Sequence, residues 1–232
     1  MRVLITRPIE DAEVTAKDLH ARGHAALVSP LLAVNMQGGP ALDLSGVQAI
    51  LATSANGIRA LAPRTVNRDI LVFAVGPQTA DEATKAGFKN VRAGTRDIVV
   101  LAEAVSHWTS PDKGTLLHAS GNDGAGKLAG LLTDKGFDVR TETLYSVNAL
   151  PLSQEAIAAI NSGEVDAVML YSPRSARLFR DAITEANLAG AAAKITAICI
   201  SSAAANALAL VAFADIRVAS APNQDALLAC LD

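Results

Sequence analysis

The residues best placed to do chemistry in this chain follow directly on short apolar runs, and nearly all of them are small, hydroxylic or amide-bearing. They are Thr6-Arg7-Pro8, Thr53-Ser54-Ala55-Asn56-Gly57, Val75-Gly76-Pro77-Gln78-Thr79, Ala119-Ser120-Gly121-Asn122, Tyr171-Ser172-Pro173-Arg174-Ser175 and Ile200-Ser201-Ser202-Ala203. Where a strand ends and a helix begins, backbone N–H groups have no intrahelical partner and the helix dipole favours negative charge. Such loops therefore suit carboxylate or phosphate binding by neutral donors. The same residue types also cap helices, and the two roles are compatible. Arg7 and Arg174 are candidates for pairing with ligand carboxylates, although an arginine beside a helix start can equally be a solvated surface residue.

Other chemistries find little support. The loops hold no Ser-His-Asp arrangement, no nucleophile elbow and no close carboxylate pair. His20, His24, His107 and His118 are scattered, and Cys199 and Cys230 lack C-x-x-C spacing, so a metal site is not expected and both cysteines read as reduced core residues. The segment Ser120 to Gly126 follows a strand and opens a helix, but its glycines fall as G-x-x-G-x-G, which argues against a dinucleotide site. No G-x-x-x-x-G-K-S/T phosphate loop is present.

The elements that must carry these loops follow from periodicity. Strand-length apolar runs alternate with amphipathic stretches of helix length, the pattern of βαβ units around a parallel sheet. Strands are predicted at Val3 to Thr6, Ala26 to Ser29, Ala49 to Thr53, Leu71 to Val75, Val91 to Ala93, Thr115 to Ala119, Val139 to Leu144, Ala167 to Tyr171, Thr196 to Ile200 and Ile216 to Ala219. Ala12, Thr15, Ala16 and Leu19 mark one helix face before Gly23, and Leu128, Leu131 and Leu132 mark another before Gly136. With 50% hydrophobic but only 3% aromatic residues, the core must be built from Ala, Val, Leu and Ile.

The pattern also repeats. Arg2-Val3-Leu4-Ile5 lies over Thr115-Leu116-Leu117-His118, which brings Gly23 onto Gly136 and Val34 onto Val147. Val47 to Ser54 lies over Val165 to Ser172, Phe73 to Pro77 over Ile198 to Ser202, and Thr95 to Leu101 resembles Ala221 to Leu227. One complete set of units occupies about 35–148, whereas the second is split between 1–34 and 149–232. A split copy around a whole one predicts an α/β fold of two similar parallel-sheet lobes, one inserted into the other. The chain would cross between them near Leu31 to Gln37 and Leu144 to Pro151, and both crossings contain extended-type sequence.

The formal charge of -3 and a pI near 5.8 give no general attraction for polyanions, so nucleic acid is not an expected partner. No stretch approaches the roughly 20 apolar residues of a membrane span, and the opening Met1 to Pro8 is unlike a secretory signal. The expectation is a cytoplasmic monomer.

The loop set resembles the uroporphyrinogen-III synthase family. The marks are V-L-I-T-R-P at Val3 to Pro8, T-S-A-N-G at Thr53 to Gly57, A-V-G-P-x-T-A at Ala74 to Ala80, the pair Leu144-Tyr145, Y-S-P-R-S-A at Tyr171 to Ala176, and A-P-N-Q-D-A-L-L at Ala221 to Leu228. Each is weak singly; their order along the whole chain is what is specific. The resemblance implies two lobes joined by a two-stranded connector with a cleft between them, and a cofactor-free lyase whose substrate is hydroxymethylbilane, a linear tetrapyrrole with eight carboxylates. Loss of water from its hydroxymethyl terminus, inversion of ring D through a spiro intermediate and closure would give uroporphyrinogen III.

It also implies roles. Tyr145 matches the family's tyrosine and is the candidate acid for the leaving hydroxyl. Thr6, Arg7, Ser54, Ala55, Asn56, Gly76, Gln78, Thr79, Ser120, Gly121, Ser172, Arg174, Ser175, Ser201 and Ser202 are the candidate substrate contacts. Where many relatives repeat G-P-x-T in the C-terminal lobe, this chain has Ser201-Ser202-Ala203-Ala204, so no threonine role carries over there. The alternatives are a non-catalytic two-lobed sensor or binding protein, and a nucleotide-using α/β enzyme.

Overall fold

Strands apolar on both faces must be covered on both sides, and helices do this throughout the computed structural model, which describes residues 1–94, 98–122 and 125–231. In chain order the elements are β1 (Arg2–Ile5), α1 (Ile9–Ala21), β2 (Ala25–Val28), β3 (Leu32–Met36), β4 (Val47–Ala52), α2 (Ala55–Leu61), β5 (Leu71–Ala74), α3 (Pro77–Lys85), β6 (Asn90–Ala93) and α4 (Ile98–Trp108). There follow β7 (Thr115–Gly121), α5 (Ala125–Thr133), β8 (Val139–Ala149), α6 (Gln154–Asn161), β9 (Ala167–Leu170), α7 (Pro173–Glu185), α8 (Ala189–Ala192), β10 (Thr196–Cys199), α9 (Ser202–Asn206), β11 (Asp215–Val218) and α10 (Gln224–Leu228). The fold is α/β, as the alternation of patterns requires.

The chain divides into two compact units, one formed by Met1–Ala33 with Asn148–Asp232 and the other by Val34–Val147. The first holds a five-stranded sheet in the order β11-β10-β9-β1-β2. The second holds a six-stranded sheet in the order β3-β8-β7-β4-β5-β6. The internal repeat now has physical content. Counterpart strands are neighbours of counterpart strands, and they meet in the same register. Val3 pairs with Ala167 in the first sheet, as Leu116 pairs with Ala49 in the second. Likewise Ala167 pairs with Thr196 as Ala49 pairs with Leu71, and Val3 pairs with Ala26 as Leu116 pairs with Val139. At the outer edge, Thr196 with Asp215 answers Leu71 with Asn90. The segment 95–97 in one of the matched stretches lies outside the described residues.

The first unit packs Leu4, Val168, Leu170, Phe179 and Ile183 on one face of its sheet, and Val3, Ile5, Leu19, Met169 and Leu227 on the other. The second does the same with Ile50, Ala52, Ile58, Leu117 and Tyr145 against Leu51, Phe73, Leu101, Leu116 and Leu132. Each buried Leu or Ile contributes about 1.5 to 3 kcal/mol relative to exposure, so these doubled cores dominate stability. The helix-ending glycines also correspond. Gly23 and Gly136 take φ of +77° and +86°, and each glycine and the residue after it donate back to the helix's last turn. His24 N reaches Leu19 O at 3.0 Å, and Phe137 N reaches Leu132 O at 3.1 Å.

Candidate functional site

At the carboxyl ends of four strands the chain turns into a helix through the same capping conformation. Ser54, Gly76, Ser172 and Ser201 all adopt extended backbone, with φ between -152° and -166°, just before α2, α3, α7 and α9. The three serines accept a hydrogen bond from the amide three residues on, from Gly57 at 3.2 Å, Ser175 at 3.0 Å and Ala204 at 3.3 Å. Gly76 has no side chain to do so, and Pro77 fills the first helical position, where an N–H would be unsatisfied anyway. The capping reading of these serines is thus realised.

In the second unit the candidate residues gather around Tyr145. The Tyr145 and Ser54 hydroxyls are 2.7 Å apart, and the tyrosine is only 7% exposed. Gly121 lies beneath the ring: a Cβ there would come within 2.6 Å of Cε2 and 2.7 Å of Cζ. The β7–β8 register slips between Ser120 and Gly121, so that Ser120 pairs with Thr143 but Gly121 pairs with Tyr145. Asn122 secures the irregular end, its backbone N–H donating to Tyr145 O and its side-chain oxygen accepting from Val147 N, each at 3.1 Å. Thr79 is buried, whereas Gln78 is exposed. Asn56 Oδ1 accepts from Arg59, whose guanidinium also pairs with Glu82 at 3.1 Å.

In the first unit the corresponding loops build a different cluster, around Arg7. Its guanidinium pairs with Asp11 at 3.0 Å and lies 4.2 Å over the Tyr171 ring. Tyr171 donates to Gln224 Oε1 at 2.7 Å, and the Gln224 amide reaches Thr15 and Asp18 at 3.4 Å each. Burial pushes the Tyr171 phenol above its ordinary range; hydrogen bonding to Thr15 and the charge of Arg7 oppose this less strongly. Arg7, expected to face a ligand, is therefore engaged within its own unit. Ser172 and Ser175 form a reciprocal capping box, with Ser175 buried. Arg174 lies in the first turn of α7, and Ser202 in that of α9.

Thr6 and Ser120 are fully buried. Thr6 donates to Met169 O and Ser120 to Gly121 O, each at 2.9 Å, so their hydroxyls secure strand ends. Asn122 and Gln224 stand in stretches that the sequence singles out, but neither is among the residues assigned as substrate contacts. Asn223 caps α10 by accepting from Ala226 N at 2.9 Å, and the N-cap signal before an apolar run was the clue that Gln224 opens a helix. Of the segment weighed as a dinucleotide loop, residues 123–124 lie outside the described residues. Among the described residues, no group of His, Cys, Asp and Glu is arranged to hold a metal, and no helix is long and apolar enough to cross a membrane. A shallow depression of about 430 Å³ lined by Leu71, Lys89, Asn90, Val91 and Arg92 follows edge strand β6 and contains none of the candidate residues.

Two solved structures share the fold over the whole chain. A uroporphyrinogen-III synthetase from Helicobacter pylori matches with a TM-score of 0.63 at 17% identity, over 100% of this chain and 98% of that one. A mutant uroporphyrinogen III synthase from the extremely thermophilic bacterium Thermus thermophilus matches with a TM-score of 0.56 at 16% identity, over 100% and 97%. Among curated proteins no match is found. The family model described as uroporphyrinogen-III synthase HemD matches residues 13–229, and with nearly the whole length accounted for, the chain belongs to the uroporphyrinogen-III synthase family.

Proposed function

We propose that this chain, an enzyme of the lyase class by its family, converts hydroxymethylbilane to uroporphyrinogen III with Tyr145 as the proton donor to the leaving hydroxyl. The observation that carries this reading is the Tyr145 hydroxyl held 2.7 Å from Ser54 at the carboxyl end of a parallel sheet, where ligands of such sheets bind. In the first step the Tyr145 proton goes to the hydroxymethyl oxygen, the C–O bond breaks and water leaves. The lone pair of the adjacent pyrrole nitrogen then stabilises the azafulvene cation. The substrate supplies its own attacking carbon, and the spiro intermediate inverts ring D.

The protein's main task is therefore to hold a flexible polyanion in reactive geometry, a service worth roughly 7 to 11 kcal/mol in favourable cases. First-turn amides at Ala55, Asn56, Gln78, Thr79, Arg174 and Ser202 are the groups we assign to substrate carboxylates, as helix N-termini favour them. Serine caps at Ser172 and Ser201, backed by Ser175, and the glycine at Gly76 keep those amides in place. Arg7 serves a carboxylate only on leaving Asp11. We further infer a cytoplasmic monomer acting without nucleic acid.

Hydroxymethylbilane closes spontaneously to the type I isomer, so product identity is the test. Type III product from purified protein is expected; type I alone, at the uncatalysed rate, rejects the assignment and favours the non-catalytic binder. Purification with bound NAD or ATP, together with protection from heat by either, favours a nucleotide enzyme instead.

A further inference from the structure

We propose that Ser54 and Gly121 act as positioning residues for Tyr145, Ser54 by donating its hydrogen to the phenol oxygen and Gly121 by leaving the space in which the ring lies. The proposal rests on the reading of Tyr145 as the acid and goes beyond it by assigning what aims the proton. A serine hydroxyl has one hydrogen to give and two lone pairs to receive with. Ser54 Oγ already accepts from Gly57 N at 3.2 Å, so its own hydrogen is the group in need of an acceptor, and Tyr145 Oη at 2.7 Å supplies one. The phenol then keeps its proton on the side away from Ser54, where a leaving hydroxyl can take it. When that proton departs, Ser54 is already donating to the oxygen that becomes negative, in the manner of preorganised oxyanion donors. The first turn of α2 points the same way, since Ser54 is its cap and the positive end of that helix dipole lies behind the serine.

Gly121 fixes the other coordinate. The register slip at Ser120/Gly121 skips Leu144 and brings Tyr145 opposite Gly121 in its place, an irregularity of the kind common beside active sites. Any side chain at Gly121 would overlap the ring it supports, at 2.6 Å from Cε2 and 3.1 Å from Oη. Asn122 then ties down the strand on either side, at Tyr145 O and Val147 N. The ring is thus held from below by a glycine and at its tip by a serine, both within one unit.

The test is a double-mutant cycle on the purified full chain with hydroxymethylbilane. Ser54→Ala is expected to lower kcat about tenfold, the factor appropriate to one ordinary hydrogen bond, with KM changed less than about twofold. Tyr145→Phe should cost about tenfold or more. The double variant should be no slower than Tyr145→Phe by more than about twofold, because Ser54 works only through the phenol. Ser54→Thr, which keeps hydroxyl and cap, should restore kcat to within about threefold of wild type. Gly121→Ala should lower kcat about tenfold or more.

Ser153→Ala controls for capping, since Ser153 holds the Ala156 amide at 3.1 Å in the same way at α6, in the other unit. It should melt earlier with kcat unchanged. Losses that multiply in the double variant, or a Ser54→Ala enzyme with wild-type kcat, overturn the proposal while leaving Tyr145 as the acid. Full activity of Tyr145→Phe overturns the acid assignment and the positioning roles with it, without touching the identity of the product.

Discussion

Gly57 is the glycine whose replacement tests most directly how the site is built. A Cβ on Gly57 would sit 2.7 Å from Ala119 O, and this oxygen belongs to the backbone of a buried central strand, so it cannot swing aside. Relief requires α2 to withdraw from β7 by several tenths of an ångström. Overpacking of this kind costs about 1 to 3 kcal/mol. Alanine returns part of this through helix propensity, up to about 1 kcal/mol and less so close to the N-terminus. The net expectation for Gly57→Ala is a loss of about 1 to 2 kcal/mol, a fall in Tm of roughly 2 to 8 °C for a chain of this length.

Gly130 is the contrasting case, because it lies within α5 and its Cβ would meet no atom within 4 Å. Gly130→Ala should raise stability by about 0.5 to 1 kcal/mol. Thermal melts of the two variants followed by circular dichroism give the comparison, with turnover measured in parallel. Withdrawal of α2 carries Ser54 away from Tyr145, so Gly57→Ala should also lose kcat while Gly130→Ala keeps it. A Gly57→Ala protein melting at or above wild type would refute the claim that the glycine is there for close approach to the sheet.

Three other outcomes are expected. Burial, and after it the neighbouring Cys230, push the Cys199 thiol from an ordinary 9.0 up to about 12. The folded state thus holds a proton that the unfolded chain releases, so this stability is complete below about pH 9 and falls by about 1.4 kcal/mol per pH unit above it, until about pH 12. Urea titrations at pH 8 to 10.5 should show that decline, with a shallower one in Cys199→Ala, where Tyr171 still contributes; identical slopes would remove Cys199 from the account. Leu210 is fully exposed with φ of +81°, and Leu210→Gly should therefore gain about 0.5 kcal/mol after the entropic cost of glycine is subtracted, read as a higher Tm. Tyr171→Phe removes the hydroxyl that reaches Gln224 Oε1 and should cost about 1 kcal/mol in denaturant unfolding, with the stacking of Arg7 retained.

Ten of the eleven described strands were legible, most of them as short apolar runs ended by a turn, a local property; Leu32–Met36 was legible only as part of the connector. Sheet order was readable at one remove: the likeness of Arg2–Ile5 to Thr115–His118 and of Val47–Ser54 to Val165–Ser172 proves to be a likeness of neighbours and registers. The loops at strand ends could be listed from the chain alone, and three of their serines do cap helices. Their engagements could not be read, because these depend on pairing across distance. Nothing in Ser120-Gly121 announces a register slip against residues more than twenty positions on. The capture of Arg7 by Asp11 is close in sequence, but its seat on Tyr171 depends on β1 lying beside β9. The burial of Thr6 and Ser120 was hidden for a related reason, since a hydroxyl reads as a ligand contact until a carbonyl is found for it.

The passage from one unit to the other falls within β3 and again within β8, which lie side by side in one sheet, and Leu150 N donates to Leu31 O at 2.9 Å just beyond. The inserted piece therefore begins and ends at nearly one point. It could be excised and the two cut strand ends left behind rejoined by a short turn, which is the geometry a duplicated gene segment needs in order to settle inside its twin.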